Sequence, residues 1–170
     1  MTKGINTTSL YNDIRRILDT ARSKAYSAVN SVMVDAYWLI GKRIVEEEQQ
    51  GKERAGYGQA LIKKLSIELQ SEFRKGFSMA NLKNFRQFYL TFAGDPKSYT
   101  LCSQLSWSHI RLIMRIEKRE TRAYYLTEAR TENWSVRQLQ RNTNSQHYER
   151  LISLPSEDEN KAIETSRVKP

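Results

Sequence analysis

Soft metal ligands and redox partners are scarce in this sequence. A single cysteine, Cys102, stands in 170 residues, beside only two histidines, His109 and His147. No internal disulfide can form, and no Cys/His cluster has metal-ligand spacing. Cys102 reads as a small core residue. No apolar run approaches the roughly 20 residues that a spanning helix needs. The opening MTKGINTTSLYNDIRR has neither the apolar stretch nor the small-residue cleavage site of a secretory signal. A cytoplasmic chain with no membrane contact and no cofactor is the expectation.

Charge is what the chain has in quantity. Lys and Arg outnumber Asp and Glu by 28 to 19, a net charge of +9. The excess sits in the middle: residues 61–150 hold sixteen basic against eight acidic residues, whereas residues 151–170 hold three against four. A basic folded surface, as opposed to a basic tail, attracts polyanions through counterion release.

The periodicity is helical throughout. Leu10, Ile14, Ile17, Leu18, Ala21, Ala25, Ala28, Val29, Val32, Ala36, Tyr37, Ile40 and Ile44 recur at steps of three and four, the stripe of an amphipathic helix. About 40 residues at 1.5 Å each give roughly 60 Å, longer than a compact domain. Either this helix bends near Asn30-Ser31 or part of it packs against another chain. Beyond the loop GKERAGYG, helices are expected from Tyr57 to Phe73 and from Ser78 to Phe92, with Gly94-Asp95-Pro96 as a stop. Three more are expected near 107–117, 119–132 and 135–150. Ser98 to Leu101 carries β-favouring residues and reads as a short strand or wing. The pattern predicts an all-α domain over 8–151, of about six helices, with a polar linker or tail over 152–170.

An aromatic, then serine, then leucine four residues after the serine occurs three times: Phe77-Ser78 with Leu82, Trp107-Ser108 with Leu112, and Trp134-Ser135 with Leu139. Serine caps the free N–H groups of the first turn, and the preceding aromatic staples the entry angle. The first and third follow short breaks after another helix, as in a helix-turn-helix. Between Ser78 and Phe92 the outward positions hold Asn81, Lys83, Asn84, Arg86 and Gln87. From Ser135 onward they hold Arg137, Gln138, Gln140, Arg141, Asn144 and Gln146, and no acid intervenes until Glu149. Arg, Asn and Gln are the side chains that read base edges in the major groove, and Lys or Arg neutralise phosphates. The candidate nucleic-acid contacts are Lys75, Ser78, Asn81, Lys83, Arg86, Gln87, Arg137, Gln138 and Arg141. Gly76 is expected to take a positive φ in the first turn.

The segments YWLIGKRIVEEEQQGKERAGYG, LIKKLSIELQSEFRKGFSMANLKNFRQFY, LSWSHIRLIMRIEKRETRAYYLTEA and NWSVRQLQRNTNSQHYERL resemble, in order and spacing, the N-terminal domain of the YhcG-like family of bacterial PD-(D/E)XK nucleases. The resemblance covers about Ser9 to Leu151. It implies a helical DNA-binding region that precedes a Mg-dependent nuclease domain and positions it on duplex or branched DNA.

The nuclease chemistry itself has no carrier in this sequence. Such a site needs carboxylates and a lysine gathered on a small sheet, and the nearest fragment is Glu159-Asn160-Lys161 in the polar tail. No catalytic residue and no metal site are expected, and the nuclease domain is expected in the same or a partner polypeptide. Glu46-Glu47-Glu48 point around a helix in different directions and cannot converge on one ion. His109 has no motif partner. The alternative to DNA binding is a module for homodimerisation or protein interaction, using the long first helix, with the basic charge incidental.

Overall fold

The computed structural model describes residues 7–51 and 57–153, and these hold eight α-helices and no strand. The tail beyond Ser153, with Glu159-Asn160-Lys161, and the loop 52–56 lie outside the described residues. The chain divides into two compact units, Met1–Trp107 and Ser108–Pro170.

The first unit is built on α1 (Thr7–Gln50) and α3 (Met79–Phe92), with α2 (Tyr57–Phe73) and α4 (Pro96–Cys102) around them. Only the second half of α1 is packed. Val34, Ile44 and Val45 from α1 are buried, as are Ile62 from α2 and Leu82, Phe85, Phe88 and Phe92 from α3. The α3 residues recur at steps of three and four, so one face of that helix is wholly core. Tyr37 stacks on Phe85 with ring centroids 4.3 Å apart, and Trp107 lies against both rings. Trp38 meets Phe88, Tyr89 and Tyr99.

Gly41 makes the close crossing of α1 and α3 possible. It is buried, and a Cβ at this position would overlap the carbonyl oxygen of Phe85.

Helix α1 runs unbroken over 44 residues, without a break at Asn30-Ser31. Residues 7–29 are all exposed, and the first long-range tie is Asn30, which donates to the carbonyl of Leu105 at 2.9 Å. The helix continues through Asn30-Ser31, and its first half is left unpacked within this chain.

The expected strand at Ser98–Leu101 is helix α4. Asp95 accepts from the backbone N–H of Ser98 at 3.2 Å and Pro96 occupies the first turn. Asp-Pro after a glycine ends the preceding helix, and it also starts the next one, because a capping carboxylate and a preset φ favour helix initiation.

The second unit holds α6 (Arg119–Thr131), α7 (Val136–Asn144) and α8 (His147–Ile152), together with α5 (Trp107–Ile113) beyond its first residue. Its buried side chains are Ile110, Ile113, Met114, Thr121, Tyr125, Leu126, Ala129 and Leu139. Tyr125 ties three helices: its hydroxyl donates to the carbonyl of Asn142 at 3.0 Å and accepts from the N–H of Tyr148 at 3.3 Å. The helix expected over 135–150 is two, because Gln146 adopts φ 51° and ψ 47°. A left-handed residue ends an α-helix, and glutamine gives no sequence warning of it.

Candidate nucleic-acid interface

The turn between α2 and α3 is tight because two residues are left-handed, Arg74 at φ 63° and Gly76 at φ 111°. The expected positive φ at Gly76 is present. Ser78 then caps α3 by accepting from the N–H of Asn81 at 3.3 Å, and the Asn81 side chain donates to the carbonyl of Gly76 at 2.8 Å. Both polar groups are thus engaged in shaping the turn.

Arg86 is held by Glu48 of α1, whose side chain is only 17% exposed. A guanidinium in a partly desolvated ion pair costs energy to withdraw. Gln87 donates to Thr91 at 3.0 Å. Of the residues singled out on this unit, Lys75, Lys83 and Gln87 are exposed; Lys75 lies in the turn, and Lys83 and Gln87 share the outer face of α3 with Met79 and Leu90. That face offers point charges, without a continuous polar reading surface.

The turn between α6 and α7 is built differently. Asn133 takes φ 49°, the N–H of Trp134 reaches back to the carbonyl of Ala129 at 3.0 Å, and that of Glu132 reaches Glu128 at 2.9 Å. Asparagine here does what glycine does in the other turn, since its short amide tolerates the left-handed region. Ser135 and Gln138 then form a reciprocal capping box: Ser135 Oγ accepts from the N–H of Gln138 at 3.3 Å, and Gln138 Oε1 accepts from the N–H of Ser135 at 2.8 Å. The start of α7 is therefore fixed by hydrogen bonds at both residues.

Leu139 is the one fully buried residue of α7, whereas Arg137, Gln138, Gln140, Arg141 and Asn144 are exposed. Arg137, Arg141 and Asn144 follow one another at steps of four and three, along one line of the helix surface. No carboxylate occurs between Ser135 and Gln146. Gln138 has its amide oxygen committed to the cap, whereas Arg137 and Arg141 are exposed with Gln140 and Asn144 beside them. Gln140 and Asn144 stand outside the nine candidate contacts named from the sequence. Their outward position was readable from the period, and the short length of α7 puts them on the same two turns as the arginines.

Other polar groups have structural occupations. His109 Nε2 bonds the carbonyl of Trp134 at 2.8 Å. Glu46 lies near Lys42 and Arg43, Glu47 accepts from Arg43 and Tyr57, and Glu48 accepts from Arg86. Glu46 and Glu47 therefore share Arg43, whereas Glu48 turns to Arg86 of α3. Among the described residues no group of three or more His, Cys, Asp or Glu could hold a metal ion, and no helix is long and apolar enough to cross a membrane. Cys102 is fully buried. A cleft of about 320 Å³ lies between Ile40, Ile44, Leu61, Leu65, Leu69 and Leu82. Its polar residues, Arg43 and Glu47, pair with each other at 3.1 Å, so it lacks convergent polar groups for a polar substrate. Tyr125 is core, and burial raises its pKa above the ordinary tyrosine value.

Residues 13–150 match the family model described as the DUF1016 N-terminal domain. The chain is 32% identical over 173 aligned residues to an Escherichia coli (strain K12) protein named "Putative nuclease YhcG", an alignment that covers 84% of this chain and 46% of that protein. It thus spans less than half the length of that relative. No solved structure matches the chain.

Proposed function

Because the chain belongs to the DUF1016 N-terminal domain family, we propose that it is the DNA-binding module of a nuclease system, holding duplex or branched DNA for a PD-(D/E)XK-type nuclease domain carried in the same or a partner polypeptide. The observation that carries this reading is the outer face of α7, where Arg137, Gln140, Arg141 and Asn144 are exposed and no acid interrupts them. A solvated helix without a binding role ordinarily mixes signs. Here the α6–turn–α7 pair acts as a helix-turn-helix in which α7 meets the groove. Its capping box fixes the entry angle, and Leu139 anchors its inner side. Guanidinium groups four residues apart suit a phosphate and a guanine edge one helical turn away. Lys75 and Lys83 of the first unit add phosphate contacts. The relative's name, which speaks of a nuclease, supports the association with nuclease function.

The test is fluorescence anisotropy on duplex and branched DNA from about 50 to 200 mM salt. Arg137→Ala and Arg141→Ala should each either lower the salt slope by about one, for a phosphate contact, or cost about 1–3 kcal/mol at one base position, for a base contact. Lys83→Ala should act only through the slope. Arg86→Ala should act on stability, since its partner is Glu48. The proposal fails if the wild type shows no salt-dependent binding, or if both arginine variants bind as the wild type with helix content unchanged.

A further inference from the structure

The first half of α1 carries a large apolar surface that no other described residue covers. Leu10 is 55% exposed, Ile17 65% and Val29 64%, and Tyr11, Ile14, Leu18 and Val32 are similarly open. Together these side chains expose on the order of 700 Å² of largely apolar surface, above the few hundred Å² usual for a soluble monomer and near the roughly 800 Å² per partner of a standard interface.

The stripe is graded in size. Its beginning is bulky, with Leu10, Ile14, Ile17 and Leu18, its middle is small, with Ala21, Ala25 and Ala28, and Val29 and Val32 follow. Two such helices laid parallel would set bulky on bulky at one end and alanine on alanine in the middle, so their axes could not keep one spacing. Laid antiparallel about a centre near Asp19, Leu10 faces Ala28, Ile14 faces Ala25 and Leu18 faces Ala21. These three layers then have the same total volume, as close packing requires.

We infer that the exposed half of α1 pairs with the same segment of a second copy of this chain, antiparallel, to form a two-fold dimer. The charges agree with this alignment. Asp13, which within its own helix accepts from Arg16 at 2.9 Å, lies on the same flank of the stripe as Lys24, and reversal brings Asp13 of each copy alongside Lys24 of the other. On the opposite flank Arg15 is already near Asp19, at 3.7 Å. A self-complementary patch is what a closed two-fold interface demands. This inference stands apart from DNA binding and holds whether or not α7 contacts nucleic acid.

Sedimentation equilibrium of the whole chain over micromolar concentrations should give a dimer, and Leu18→Asp should weaken association at least tenfold. Leu18 belongs to the stretch of α1 that is exposed throughout, so the folded core remains, and unchanged fluorescence of the core residues Trp38 and Trp107 verifies it. Orientation is read by mild oxidation of Leu10→Cys and Ala28→Cys proteins, with buried Cys102 left in place and the wild type as control. In the antiparallel pair, identical positions at residue 10 are about 27 Å apart by the helical rise. A mixture of the two variants should therefore cross-link while neither does so alone. A monomer at all concentrations, a dimer insensitive to Leu18→Asp, or self-cross-linking of the Leu10→Cys protein would each overturn the inference.

Discussion

Replacing Gly41 by alanine tests the packing of the first unit at its tightest point. The added methyl carbon would overlap the carbonyl oxygen of Phe85, approach its carbonyl carbon to 2.7 Å and lie 3.2 Å from Cβ of Tyr89. The first two obstacles are backbone, in the middle of α3, so no side-chain rotation relieves them. The helices must separate by roughly 1 Å, and a gap of that size forfeits a quarter to a half of the dispersion well at each contact. Leu82, Phe85 and Phe88 are the side chains that lose it. Overpacking of this kind costs about 1–3 kcal/mol, and the backbone nature of the clash places it near the upper end. Against it stands the helix preference of alanine over glycine, close to 1 kcal/mol. The expected net loss is about 2 kcal/mol, read as a lower urea midpoint at unchanged slope. Gly94→Ala is the control, since a Cβ there meets nothing within 4 Å, and it should change stability by less than about 0.5 kcal/mol. If Gly41→Ala were as stable as the wild type, or more so, helix propensity would have won and the close crossing would not be what holds α1 to α3.

Gly76→Val should cost about 1–2 kcal/mol through backbone strain alone, because φ is 111° and nothing within 4 Å would meet the side chain; equal denaturation midpoints would refute this. Ser135→Ala removes one half of the α7 capping box and should lower stability by about 1 kcal/mol, with DNA affinity falling in the same variant if α7 is the contact helix. Tyr99 is pushed up to about 12, first by burial and then by its hydrogen bond to Asp35 at 2.8 Å. An acid whose folded pKa is raised contributes stability that is complete below the unfolded value of about 10 and lost as pH rises toward 12. The melting temperature should therefore fall over that window, and Tyr99→Phe should remove part of the fall; an identical pH profile in the variant would show that Tyr99 takes no part.

The helical class and the long first helix were legible because apolar residues at steps of three and four are the direct imprint of one-sided burial, as in Leu82, Phe85 and Phe92. Capping serines were legible for a local reason: Ser78 and Ser135 act within three residues of themselves. What escaped the sequence were features set by tertiary contact or by residues with weak preferences. Gln146 turns left-handed without glycine. Asp95-Pro96 both ends one helix and begins another. Gly41 looks like any helix glycine until α3 is laid across it. The first candidate contact surface was thinned for the same reason. Arg86 projects outward from its own helix, and only the position of Glu48, 38 residues away in sequence, turns it into a structural residue.

The unpacked half of α1 also has a bearing on how this protein orders itself. A helix in water pays for its first turn and then extends at little gain or loss per residue. Here the packed half, from Asn30 onward, has already supplied that nucleus, so the exposed half grows from one end as a continuation and frays from the other. Its order is graded along its length, greatest near Asn30 and least near Thr7. A docking partner that covers Leu10 to Val32 meets a helix part of the way to completion, and the cost of ordering the remainder enters the binding equilibrium. The amount of helix in a solution of this chain then becomes a function of how much of the chain is present.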